Sequence, residues 1–237
     1  MARRLYCYHR WPASPSWSRR LATTAAVRAW LDAPETATAL ARDWVSAPPP
    51  PDNDRWRIFR HRSTTAGLVP GPRYKLYVSP RPDNLRDALG VALGAFTEHE
   101  VPVFKVADDL YGVLRPDKLV AYFSSRSQLK SVVAELRRTA ARLPAQGVPF
   151  TAACTQDGLL SWAVDPPQRA DAHSGVSSWR GWLVGRMAQA MIQAQAEASW
   201  GPASVVDYVL RRLWLDGVDA TTWAPLDTAG ADRARIQ

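Results

Sequence analysis

The 237-residue chain is poor in the residues that build the commonest sites. Its two cysteines, Cys7 and Cys154, are too few for a disulfide framework or a cysteine zinc site and form no C-x-x-C pair, so they read as reduced residues in or near a core. Only four histidines occur, His9, His61, His99 and His173, none close in sequence to a cysteine, which argues against a Cys/His nucleophile. There is no G-x-G-x-x-G, P-loop, G-x-S-x-G, H-E-x-x-H or kinase signature, so the chain predicts neither a metal nor another cofactor. No stretch approaches the roughly 20 apolar residues of a membrane span, and Met1 to Arg20 lacks a signal peptide's apolar centre. The expected location is cytoplasmic, with no membrane partner.

What the chain does have is a core-forming composition, 46% hydrophobic, and 30 Lys and Arg against 22 Asp and Glu, a net charge of +8. The excess favours an anionic partner: nucleic acid, an acidic peptide or a phosphorylated one. Eleven tryptophans are spread over both halves, most of them expected in the core or between helices, a minority able to line a peptide groove.

Leu21 to Val45 has the apolar spacing of one or two short helices divided at Pro34. Pro48 to Pro51 and Asp52 to Asp54 read as a linker. Strands are predicted at Trp56–Phe59, Arg73–Ser79, Val101–Val106 and Lys118–Ser124, a short pairing around Tyr111–Leu114, and a hairpin from Phe150–Thr155 and Leu159–Val164. Helices follow Asp83 and either Ser125 or Ser127, and helical spacing returns over Ser178–Ala198 and Ala203–Leu215, the latter ending at Gly217. The order predicts an α+β fold with a mixed, largely antiparallel sheet flanked by helices. The division expected is an N-terminal helical or docking segment with its proline-rich linker (1–51), an α+β domain (52–226) and a flexible tail (227–237).

Chemistry concentrates in basic residues within the predicted strands. Lys75 stands in Tyr-Lys-Leu-Tyr-Val-Ser, Lys105 in Val-Phe-Lys-Val-Ala-Asp-Asp, and Lys118 opens the next strand beside Arg115. Burying an ammonium costs several kcal/mol unless it is paired or neutral, so lysines inside apolar strands need a reason. The plainest one is that Lys105 lies on a solvated sheet face or pairs with Asp108 or Asp109; three basic strand positions in succession weigh against it.

Tyr-Lys-Leu-Tyr-Val-Ser-Pro, a helix, Val-Pro-Val-Phe-Lys-Val and a strand from Lys118 together resemble the lyase domain of class III and class IV lanthipeptide synthetases and the phosphothreonine lyases of bacterial effectors, over roughly Arg73 to Arg186. In that family a strand Lys-x-His binds phosphate and supplies a general acid, while the lysine of a Phe-Lys or Trp-Lys-Val strand removes the α-proton. The resemblance implies that Lys75 binds phosphate, that Lys105 is the base of a β-elimination from phosphoserine or phosphothreonine, and that Arg115 and Lys118 are further basic contacts. Ser-Trp-Arg-Gly-Trp-Leu-Val-Gly-Arg nominates Arg180 and Arg186 for the phosphate. The departure is Tyr77, which occupies the position of the acid histidine; His61 or His173 are the candidates to replace it.

These residue types suit the reaction. A lysine, with an ordinary pKa near 10.4, serves as a base only when neighbouring cations and loss of water lower that value, and the same cations hold a phosphate dianion. Tyrosine donates a hydrogen bond but is a poorer acid at neutral pH than an imidazolium. The implied substrate is a phosphorylated, ribosomally made precursor peptide, with a separate Ser/Thr kinase and a cyclase as partners. Two other readings stay open: a noncatalytic lyase-fold subunit that binds the peptide or partners a kinase, and a nucleic-acid binder motivated by net charge alone.

Overall fold

The computed structural model describes residues 1–48, 55–64, 74–166, 178–196 and 201–226. The chain divides into two compact units. The larger comprises His9–Pro149 and Ala153–Trp162; the smaller takes Met1–Tyr8, Phe150–Ala152 and the chain from Ala163 onward. The linker proposed at 48–54 falls, from residue 49, outside the described residues, as do His173 and the tail from residue 227.

In the larger unit three N-terminal helices, α2 (Pro15–Arg20), α3 (Thr24–Leu31) and α4 (Pro34–Asp43), precede strand β1 (Trp44–Ala47). Ser14 and Thr23 cap the first two, each accepting a backbone N–H three residues on, and Pro34 separates the last two as expected. Helical spacing fails at Trp44, where the chain turns into a strand. Residues 9–48 are therefore grouped with the sheet, because Trp17, Val27, Leu31, Leu40 and Trp44 are buried in the same unit.

The remaining strands are β2 (Trp56–His61), β3 (Tyr74–Val78), β4 (Val103–Ala107), β5 (Leu119–Phe123), β6 (Ala152–Ala153) and β7 (Leu160–Val164), in the sheet order β1-β2-β4-β5-β3-β7-β6. The pairs β1/β2, β2/β4, β4/β5 and β3/β5 are all antiparallel. The α+β class and its antiparallel sheet are thus as expected. Helices α5 (Leu85–Glu98) and α7 (Arg126–Thr139) follow their strands, the second capped by Ser125. The pairing expected around Tyr111–Leu114 is instead a one-turn helix, α6 (Leu110–Val113), because the Asp109 carboxylate accepts the Gly112 N–H at 2.6 Å and closes a helical turn.

Alternation along the strands gives the sheet two unlike faces. One presents Phe59, Leu76, Val78, Phe104, Val106, Leu119, Ala121 and Phe123, all buried. Phe104 is its centre, stacked on Phe59 at 5.0 Å and meeting Trp44 and Phe96 at 4.6 and 5.5 Å. Leu85, Leu89, Leu93 and Phe96 of α5 and Leu129, Val132, Val133 and Leu136 of α7 are the buried stripes of their helices.

The smaller unit holds α1 (Ala2–Tyr6), α8 (Trp179–Gln195), α9 (Pro202–Leu215) and a two-stranded ribbon, β8 (Val218–Asp219) with β9 (Ala224–Pro225). Ser178 caps α8, and Gly217, at φ +84°, takes the left-handed conformation that ends α9. Among the described residues no helix is long and apolar enough to cross a membrane.

Candidate functional site

The sheet's other face carries the cations. Register puts Ile58, Lys105, Val120 and Tyr77 in one row across β2, β4, β5 and β3, and Arg60, Val103, Tyr122 and Lys75 in the next. Residues directly opposite in antiparallel strands share a face, so Lys75, Tyr77 and Lys105 share this one. Lys118 extends it: its carbonyl accepts the Ala107 N–H at 2.9 Å, one residue before β5 begins. Four positions nominated from sequence therefore lie on one side of one sheet.

Rings organise the ammonium groups. Lys75 Nζ lies 5.8 Å and Lys105 Nζ 5.7 Å from the centre of the Tyr122 ring, and Lys105 Nζ is closer still, 4.2 Å, to the Trp56 ring. Arg115 joins from the loop before β5, its guanidinium 5.2 Å from the same Trp56 ring and bonded to both oxygens of Asp117 at 2.8 Å. Electron-rich ring faces stabilise cations where water cannot, which lets several positive groups approach one another.

Lys105 is half-buried, and it does not pair with the nearby acids. Asp108 is bound to Arg28, and Asp109 caps α6 and meets Arg55 at 3.4 Å. Loss of water lowers the Lys105 ammonium from its ordinary 10.5 to about 8; the Asp117 carboxylate pulls it back up and the Arg115 guanidinium pushes it further down. Lys118 is fully buried and falls to about 7, again through loss of water opposed by Asp117. Its ammonium, however, is held: it donates to the Pro80 carbonyl at 2.7 Å and to the Gln146 side-chain oxygen. The Gln146 amide nitrogen donates in turn to the carbonyls of His9 at 2.6 Å and Leu114 at 3.4 Å, and the His9 ring nitrogen to the Gln146 carbonyl at 2.5 Å. Lys118 is thus the inner end of a closed polar network, whereas Lys105 faces rings.

The two arginines nominated from the later segment belong to the smaller unit. Arg180, 1% exposed, donates to the Tyr6 carbonyl at 3.0 Å with its guanidinium 4.6 Å from the Tyr6 ring. Arg186 forms a two-bond pair with Asp216, at 2.8 and 2.6 Å, that ties α8 to the end of α9. Of the histidines offered as a substitute acid, His61 sits on the apolar side of the sheet, opposite Trp44 in the register and 5.0 Å from its ring, with Nδ1 2.7 Å from the Ser63 hydroxyl. That face is the wrong one for the cationic row.

Three residues of this arrangement were missed from sequence. The sequence marks Trp56 only as the start of a strand. Asp117 carried a usable signal, an acid between Arg115 and a buried lysine, since such a lysine needs a nearby carboxylate to remain charged. Gln146, in a stretch without periodicity, carried none.

No protein-family model and no curated protein matches the chain. Solved structures similar to it include an effector protein from Pseudomonas syringae pv. syringae strain 61, at 12% identity over 95% of this chain and 98% of that one with a TM-score of 0.45. An effector protein from Pseudomonas syringae pv. tomato strain DC3000 gives 12% identity, 95% and 90% coverage and 0.47. The type III effector/phosphothreonine lyase OspF from Shigella flexneri gives 13% identity, 68% and 86% coverage and 0.40. At this level of likeness the chemistry has to come from the residues themselves.

Proposed function

We propose that the cationic face eliminates phosphate from a phosphorylated Ser or Thr side chain of a peptide, leaving dehydroalanine or dehydrobutyrine, with Lys105 as the base. The observation that carries this reading is the setting of Lys105: a half-buried ammonium 4.2 Å from the Trp56 ring and 5.7 Å from the Tyr122 ring, lowered to about 8 by loss of water and by the Arg115 guanidinium. Roughly a tenth of such lysines are neutral at pH 7, against fewer than about one in a thousand for an ordinary one.

The neutral amine takes the α-proton of the phosphorylated residue. The electron pair of that C–H bond becomes the second Cα–Cβ bond, and the pair of the Cβ–O bond leaves with the phosphate. Lys75 holds the phosphate oxygens, and the Arg115 guanidinium, paired with Asp117, adds positive potential that meets the charge growing on the leaving oxygen. Tyr77, in the same cross-strand row as Lys105, donates a hydrogen bond to that oxygen in place of a stronger acid. Lys118, committed to Pro80 and Gln146, adds positive potential without touching substrate. A separate kinase supplies the phosphorylated residue; by the resemblance of the strand motifs, the peptide is a ribosomally made precursor and a cyclase consumes the product.

Phosphoserine and phosphothreonine peptides incubated with the protein are expected to lose phosphoric acid, read by mass spectrometry, and Lys105→Ala to lose this by at least about a thousandfold. Unchanged peptide with the unmodified protein overturns the lyase reading; tight binding of that peptide, measured by calorimetry, would mark a noncatalytic peptide-binding subunit.

A further inference from the structure

The apolar stripe of helix α9 is wider than the part its own unit covers. Val209 and Leu213 are buried on the side packed against α8 and β8. Val206, Leu210, Trp214 and Leu215 are 58, 36, 61 and 65% exposed. A helix on the surface of a folded unit needs one apolar stripe, and single exposed apolar residues need no explanation. A run of three at four-residue spacing, ending on an exposed tryptophan, is a contiguous patch of the kind that marks an interaction surface.

The charges beside the patch indicate what covers it. Asp207 and Arg211 form an exposed ion pair at 2.8 Å, each one residue beyond a member of the stripe, so acid and base lie on the same flank. When two identical helices pack antiparallel about a twofold axis, equivalent flanks come together. With the axis at Leu210, Val206 of each copy meets Trp214 of the other, and Asp207 of each lies beside Arg211 of the other. A parallel pairing would set this flank against a different one and leave both charges without that match.

We infer that the exposed side of α9 is the contact of a symmetric homodimer, made antiparallel around Leu210. A stable interface buries about 1,200 Å² or more, which one pair of 14-residue helices does not reach. The dimer is accordingly a weak, reversible one.

Sedimentation velocity on the full chain, from about 1 µM to a few hundred µM, tests this directly. The unmodified chain is expected to pass from monomer to dimer, and Leu210→Glu to stay monomeric. Asp207→Arg should weaken the dimer at least about tenfold by facing arginine with arginine, and the double change Asp207→Arg/Arg211→Asp should restore it to within about threefold. Circular dichroism confirms that each variant is folded, as substitution at these exposed positions allows. A chain monomeric throughout, a dimer that survives Leu210→Glu, or a charge swap that fails to restore what the single change lost would each overturn the inference.

Discussion

Lys105, half-buried, and Lys118, fully buried, lie on one face of one sheet and both are lowered by loss of water, yet the two ends of that face treat an ammonium differently. At the Lys118 end every donor direction used is met by an oxygen, from Pro80 and Gln146. At the Lys105 end the neighbours are the rings of Trp56 and Tyr122, which steady a positive charge but accept no proton and make no strong directional bond. Burial alone does not separate a structural lysine from a reactive one; the chemistry of the neighbours does. A fully bonded lysine locks a loop, and one held by rings keeps its nitrogen available.

The sharpest break of this contrast is in stability. Lys118→Met leaves the Pro80 and Gln146 oxygens buried without a donor and should cost about 3 kcal/mol, measured by urea unfolding at neutral pH, whereas Lys105→Met removes a poorly solvated charge from among rings and should not destabilise the chain. Equal losses would mean that the two ends do not differ.

The second effect is a pH dependence. Both folded-state values, about 8 and about 7, lie below the unfolded 10.5. Below about pH 7 both states carry the charges and the folded chain bears the full cost of burying them. As pH rises, the folded chain sheds protons that the unfolded chain keeps, so stability should climb between pH 7 and 9 by up to about 1.4 kcal/mol per unit for each lysine. Above pH 9 Cys154 works the other way, because burial holds its thiol protonated to about 12 while the unfolded thiol ionises. Unfolding measured across this range should steepen less in Lys105→Met than in the unmodified chain.

Asp117 raises both lysines, so Asp117→Asn should move the rising limb of the elimination rate to lower pH by about one unit; an unmoved limb would dissociate Lys105 from the rate. The smallest effect belongs to Arg186→Ala, which breaks a half-exposed pair between α8 and Asp216 and should cost about 1 kcal/mol while leaving elimination unchanged.

Most of the fold was legible, because its signals are local. The alternation of Lys75 and Tyr77 with Leu76 and Val78 gives β3, and Ser125 followed by Leu129, Val132, Val133 and Leu136 gives α7. Two elements were misread because their decisive partner is not in the local pattern: Trp44–Ala47 becomes a strand by pairing with Trp56–His61, and Leu110–Val113 turns helical on one carboxylate. The cationic residues were legible as lysines out of place in apolar strands. Which of them is held and which is not could not be read, since that rests on Gln146, remote from Lys118 in sequence, and on the Trp56 ring across the sheet.

The Gln146 junction also bears on the order of events in folding. It joins residue 9 to residue 146, a separation of 137 positions, and the loops it closes must be drawn in before any of its bonds form. The His9 bonds of this junction are expected to close after the rate-limiting step, with the shorter Lys118 bonds to Pro80 and Gln146 completed around them. Substitutions at Gln146 should accordingly hasten unfolding and leave the refolding rate nearly untouched, making this buried amide a latch on the lifetime of the native protein rather than a guide to its assembly.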